Sequence, residues 1–207
     1  MSHAVNDAAL DVLFRNARTH RKWRPEPVTP QMLMAIYDLM RWGPTTNNTN
    51  PGRIHFVVSR EAKERLKPHL TRGNVDQTMA APATAILAYD LKFFDMMPKL
   101  NPTNPTAKES WMQKSPAEIE QAAFRSGTLQ GAYLIVAARA LGLDCGPMSG
   151  FNNAGVDMEF FAGTAIKSNF LCNLGFGDET GLRPRAPRHN PEKHNAVYAC
   201  LSADHYS

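Results

Sequence analysis

Between Gly43 and Arg53 the chain reads Gly-Pro-Thr-Thr-Asn-Asn-Thr-Asn-Pro-Gly-Arg, so hydroxyls of Thr45, Thr46 and Thr49 alternate with carboxamides of Asn47, Asn48 and Asn50. Each group donates and accepts hydrogen bonds, which suits the edge of a neutral heteroaromatic ring or a polyol chain. The same composition also makes a turn that only satisfies its own backbone. Two further stretches offer charge. Arg18 and Arg21 bracket Thr19 and His20, with Lys22 and Arg24 just beyond, and Arg183, Arg185 and Arg188 recur among prolines far along the chain. Guanidinium forks fit the oxygens of a phosphate monoester, although basic runs are also ordinary solvated faces. In a fourth stretch, Asp144-Cys145-Gly146-Pro147-Met148-Ser149-Gly150, small residues let the backbone approach a flat ligand. Cys145 reads as packing, since no His stands beside it in sequence to draw out a thiolate.

These groups must be held by the elements between them. Asp7 can cap a helix carrying Leu10, Leu13, Phe14 and Ala17, and Thr29-Pro30 opens a second with Leu33, Ile36, Tyr37 and Met40 at helical spacing. Strands are expected at Ile54–Val58, Thr84–Tyr89 and Phe170–Leu174, with helices from Glu61 to Leu70 behind Ser59 and from Val156 to Phe161. Ser115-Pro116-Ala117-Glu118 is a capping box opening the most apolar helix, Ile119 to Leu141, closed by Gly142. That helix shows almost no polar face, so burial on nearly all sides is expected, with Gly127 and Gly131 admitting another helix closely. Residues 91–115 carry Phe93, Phe94, Met96, Met97 and Trp111 among prolines and lysines with no sustained period. They read as an insertion, either a lid that selects a substrate or a surface excursion packed by its own aromatics.

A chain of 207 residues, 43% of them hydrophobic, can bury one core, and a single domain over 1–207 is expected. The net charge of +4 is too slight and too dispersed for a nucleic-acid binder. Cys145, Cys172 and Cys200 form an odd set without Cys-x-x-Cys spacing, which argues against zinc and disulfides and for a cytoplasmic protein. No run approaches the roughly 18 to 20 apolar residues of a membrane span. Gly175-Phe176-Gly177-Asp178-Glu179-Thr180-Gly181 fails the dinucleotide fingerprint, because its third glycine comes one residue late and Arg183-Pro184 follows in place of a helix.

In order, the basic cluster, the Pro-Thr-Thr-x-Asn loop, the long helix, Pro-Met-Ser-Gly and the arginine motif resemble the nitroreductase-like FMN enzymes, whose loop usually reads Ala-Pro-Ser-Ala-x-Asn-x-Gln-Pro-Trp. The resemblance implies an α+β fold, a central mixed β-sheet flanked by helices, and a homodimer with FMN sites at the subunit interface. It implies that Arg18, Thr19, His20, Arg183 and Arg185 meet the FMN phosphate, and that Pro44, Thr45, Thr46 and Asn48 contact the flavin. Asn74, or else Gln77, supplies a further carboxamide, and Pro147, Met148, Ser149 and Gly150 cover one ring face with a backbone N–H toward N5. NADH or NADPH is the implied reductant, in a ping-pong cycle with water as the proton source. Asn50, Gly52 and His20 stand where the family usually has Gln, Trp and Ser, which marks a divergent branch. Pro-Met-Ser-Gly-Phe, Trp42-Gly43-Pro44-Thr45 and Ala140-Leu141-Gly142-Leu143-Asp144 resemble the malonic semialdehyde reductases of pyrimidine breakdown. Nitroaromatics, quinones and enals are alternative acceptors within the fold, and a basic nucleotide- or nucleic-acid-binding module is the alternative outside it.

Overall fold

Side-chain caps set most of the helix starts. In the computed structural model, which describes residues 4–189, Asn6 rather than Asp7 caps α1 (Asp7–Leu10), its side chain accepting from Ala9 N, and the helix runs on as a π-helical turn, Asp11–Arg15. Thr29 caps α2 (Pro30–Met40), which turns Leu33, Ile36 and Met40 inward. Strand β1 (Gly52–Val57) leads to the Ser59-capped α3 (Arg60–Leu66), then α4 (Arg72–Ala80) and β2 (Ala83–Asp90). Residues 91–115 hold a 3-10 turn and two short helices, α5 (Met97–Leu100) and α6 (Ala107–Met112). The reciprocal Ser115–Glu118 capping box opens α7 (Pro116–Ala140). The chain continues through β3 (Asp144–Met148), α8 (Asn153–Phe160) and β4 (Ile166–Gly175). Cys200 and the tail from Asn190 lie outside the described residues.

Among the described residues the strands form one sheet in the order β1-β2-β4-β3, and every ladder is antiparallel. This corrects the expected mixed sheet. The one parallel pairing among the described residues is the isolated bridge Thr19–Cys145, because the N-terminal segment runs beside β3 for a single residue before Trp23 bridges antiparallel to Gly177. One sheet face packs against α2 and α7 through Ile36, Met40, Leu87, Leu134 and Cys172. The other is covered by α3 and α8 through Leu66, Ile86, Val156 and Leu171.

One expectation about α7 is corrected. A Cβ on Gly127 would stand 3.0 Å from Tyr89 Cβ, and one on Gly131 would stand 2.7 Å from the Phe170 ring, so these glycines admit the sheet and not a second helix. Within one chain Phe124, Leu129 and Tyr133 of α7 are each more than 40% exposed, Phe124 at the helix flank where its ring meets Tyr89 edge-on at 5.6 Å. Residues 91–115 pack through their own aromatics, with Phe93 edge-on to Trp111 at 4.9 Å and both closed against Tyr89 and Ala123. Among the described residues no helix is long and apolar enough to cross a membrane.

Candidate functional site

The two basic stretches meet in space. Arg18 Nη2 donates to the carbonyl of Arg183, and Arg185 Nη2 donates to the carbonyls of Arg15 and Ala17 at 2.8 and 3.0 Å. Together with Thr19, Arg21, Arg139 and Arg188 they border a cavity of about 310 Å³ with no acid among the described residues of its lining. Cations so concentrated without a carboxylate make an anion site, and guanidinium geometry favours phosphate. Arg139 comes from the last turn of α7 and also donates to Leu13 O at 3.1 Å.

His20 is turned elsewhere. It is 5% exposed, its Nε2 lies 3.3 Å from Asp144 Oδ1, and its Nδ1 is buried without a partner. Its backbone N–H donates to Cys145 O at 3.0 Å, and the ring lies so close over Gly177 that any side chain there would collide with it. His20 therefore fastens the N-terminal segment to β3 beside the arginine cavity without lining it.

Pro147 and Met148 end β3, paired with Cys172 and Leu171, where a loop was expected, while Ser149 is exposed beyond the strand. Gly150 O accepts from Thr71 N at 3.0 Å, Thr71 Oγ1 at 2.9 Å and Asn74 Nδ2 at 2.9 Å. A Cβ on Gly150 would come within 2.6 Å of both side chains, so only glycine fits. Gln77 donates to Asn74 Oδ1 at 2.6 Å, and Trp23 Nε1 donates to Gln77 O at 3.1 Å. One hydrogen-bonded chain thus joins the basic segment, α4 and the Ser149–Gly150 turn. The end of α4 rests on Lys63, whose buried ammonium donates to the carbonyls of Thr78 and Ala81 and is pushed down to about 8 by burial.

The polar loop is ordered by backbone strain and by α7. Asn47, Asn48 and Asn50 hold positive φ of 49°, 57° and 43°, a region asparagine tolerates better than most residues. Ser126 Oγ accepts from Thr46 N at 3.3 Å, and Asn48 Nδ2 donates to Leu100 O at 2.7 Å. Thr45 Oγ1 accepts from Asn50 N at 3.2 Å, while Pro44 is exposed. Gln130 accepts from Gly52 N at 2.7 Å and donates to Asn50 Oδ1 at 3.3 Å. A Cβ at Gly52 would stand 2.5 Å from Gln130 Oε1, so the two divergent positions of the loop answer to one helix residue.

Within one chain this loop and the arginine cavity are far apart. Gly52 aligns through Tyr89 with Lys167 on β4, whereas Asp144 aligns with Gly175, eight residues farther along. At ~3.3 Å per residue and ~4.8 Å per strand, the diagonal is roughly 30 Å. Helix α7 gives a second measure: Ser126 holds the loop and Arg139 the cavity, thirteen residues apart, or ~20 Å at 1.5 Å per residue. The structure thus gathers Arg18, Thr19, Arg183 and Arg185 at one place, links Asn74 with Gly150 nearby, and keeps Pro44, Thr45, Thr46 and Asn48 at the other end.

The Nitroreductase family profile matches residues 14–177. The chain belongs to this family. A protein of Stenotrophomonas maltophilia strain K279a is 56% identical over 188 residues, covering 91% of this chain and 95% of its own. One from Burkholderia lata is 55% identical over 184 residues, covering 89% and 93%. Both are provisionally named NADH dehydrogenase/NAD(P)H nitroreductase. Among solved structures, a nitroreductase of Exiguobacterium sibiricum in complex with FMN superposes with a TM-score of 0.82 at 17% identity, over 96% of this chain and all of that one. An enone reductase of gut-bacterial fatty acid saturation gives 0.79 at 17% identity, over 95% and 100%. At that identity the likeness speaks to the nitroreductase fold.

Ser126 and Gln130 anchor the polar loop, Arg139 lines the arginine cavity and Thr71 holds Gly150, and sequence reasoning missed all four. For Ser126 and Gln130 a signal existed: two polar residues four apart in the mostly apolar stretch of a long helix. Arg139 looked like an ordinary cation in a last turn.

Proposed function

We propose that this protein is a flavoprotein, an FMN-dependent NAD(P)H oxidoreductase acting as a cytoplasmic homodimer. Each FMN lies between the arginine cavity and Ser149–Gly150 turn of one protomer and the Thr45–Asn48 loop of the other. The observation that carries the reading is the separation of two complementary half-sites, one cationic and one neutral, by ~20 Å along α7. The exposed Leu129 and Tyr133 between them supply an apolar surface for the partner.

The residues fit the group. An acid-free cavity lined by Arg18, Arg183 and Arg185 suits a phosphate monoester, and the glycine turn fixed by Asn74 and Thr71 lets backbone approach a ring. Thr45, Thr46 and Asn48 offer donors to a pyrimidine edge. When bound, FMN relays a hydride, so that NAD(P)H, a proton and a carbonyl acceptor give NAD(P)⁺ and an alcohol. The chain binds and orients, and residues 91–115 close over the acceptor within a single domain; water supplies the proton. For the acceptor we favour a small carbonyl compound, malonic semialdehyde giving 3-hydroxypropionate, on the motif resemblance. The relatives' names favour a nitro compound as the second reading.

The test is a visible spectrum of the purified protein, followed by NADH and NADPH oxidation with malonic semialdehyde beside a nitroaromatic. A yellow protein with faster semialdehyde turnover is expected. A colourless protein that takes up no added FMN would sink the cofactor assignment, and a yellow one that reduces only the nitro compound would sink the acceptor.

A further inference from the structure

Against the polar loop lies a second cavity of about 380 Å³, whose walls come from Thr46 and Asn47, from α6 and from the first half of α7. We infer that it is an acceptor subsite for a small carboxylate-bearing compound, with Arg125 as its cation. This rests on the flavin reading above and names the substrate class for it.

Three observations converge. Arg125 has neither an ion-pair partner nor a hydrogen-bond acceptor among the described residues, although it stands one residue from Ser126, which anchors Thr46. The acid that shares the cavity is already engaged: Glu118 Oε2 accepts from Ser115 N and Oγ at 3.0 and 2.7 Å, and its Oε1 lies 3.6 Å from Lys114 Nζ. Lys114 and Glu118 offset one another, which leaves the charge of Arg125 unopposed. The rest of the lining is mostly polar, from Thr46, Asn47, Asn101, Asn104, Ser110 and Gln121, and its aromatic wall is stiff, because Trp111 is 7% exposed and held edge-on by Phe93. A cation among amide and hydroxyl groups and one aromatic wall, beside the loop that would hold the ring edge, fits a short polar molecule with a carboxylate at one end and its reducible group at the other. The volume is at the small end of the ~300 to 1,000 Å³ typical of ligand sites, which suits a compact acceptor better than a dinucleotide.

Two probes with one reacting group separate charge from shape: 4-nitrobenzoate and its uncharged methyl ester. For the FMN-loaded protein we expect Arg125→Gln to lower the acid-to-ester ratio of kcat/KM by about 10- to 100-fold, the usual effect of losing a charge-assisted pair. Arg125→Lys should restore part of it, and flavin content should hold, since Arg125 is not among the residues lining the arginine cavity. Calorimetric titration with benzoate against benzamide should show the same loss of preference without turnover. Equal falls for acid and ester, undiminished benzoate binding in Arg125→Gln, or a raised KM for NADPH in their place would each overturn the assignment. A colourless protein would defeat the flavin reading alone, because benzoate binding reads this cavity independently.

Discussion

If each flavin is shared between protomers, damage to the two half-sites must complement across the interface. Arg185→Ala removes a guanidinium from the arginine cavity, and Asn48→Gly removes a carboxamide from the loop while tolerating its φ of 57°. A charge-assisted phosphate contact contributes ~1.5 to 3 kcal/mol, so Arg185→Ala should weaken FMN binding by about 10- to 100-fold. A neutral contact contributes ~1 kcal/mol, so Asn48→Gly should weaken it about fivefold. In either homodimer both sites carry one lesion. In a heterodimer of the two variants one site carries both lesions and the other none. Coexpression with two different affinity tags, tandem purification and flavin absorbance after gel filtration should therefore give about one tightly held FMN per heterodimer, with wild-type affinity. The arrangement is favoured by the separation of ~20 Å along α7 between the two half-sites of one chain. A heterodimer that retains no more flavin than its parents, at unchanged melting temperature, would refute the shared site.

Other outcomes follow from single contacts. Gly52→Ala should lose ~1 to 3 kcal/mol, because its methyl would collide with Gln130 Oε1; a thermal melt matching wild type would count against that contact. Thr84→Val should lose a similar ~1 to 3 kcal/mol, seen as a melting point several degrees lower, because it leaves the wholly buried Asn173 Oδ1 without the 2.7 Å hydroxyl donor. The Lys63 ammonium is held at about 8 by burial, below the ordinary value near 10.5, so the folded chain gives up its proton before the unfolded one does. Wild-type stability should thus gain from this group as pH rises between those values, and denaturant titrations of Lys63→Met should lack that gain. Leu129→Arg places a charge on the exposed ridge of α7 and should shift sedimentation toward monomer with loss of flavin; an intact yellow dimer would contradict the interface.

What could be read in the sequence was local. Thr29-Pro30, Ser59 and the Ser115–Glu118 box cap helices as their types require. What escaped reading depends on contacts between distant residues. Helix α4 has only Val75 and Met79 as large apolar residues, and its end is held by Lys63, so no period announces it. The small residues and Pro147 of 144–150 read as a loop, yet β3 is an edge strand, where a proline that cannot donate to the ladder is tolerated. Asn50 and Gly52 looked like arbitrary departures from the family loop until Gln130, some eighty residues on, proved to touch both. The meeting of the arginine motifs was foreseen through resemblance alone; the distance between the half-sites was not, because it is fixed by sheet register.

That distance also explains why α7 is so apolar on a face the single chain leaves wet. The helix carries the loop anchor at Ser126 and the cavity cation at Arg139, with Tyr133 midway. If two copies pack antiparallel about a two-fold axis near Tyr133, Ser126 of each chain comes beside the partner's Arg139. Each half-site then meets its complement with no bending of either chain. An apolar face midway and polar anchors toward its two ends are what such an arrangement requires of one helix. A monomer would gain nothing from leaving Leu129 and Tyr133 in water.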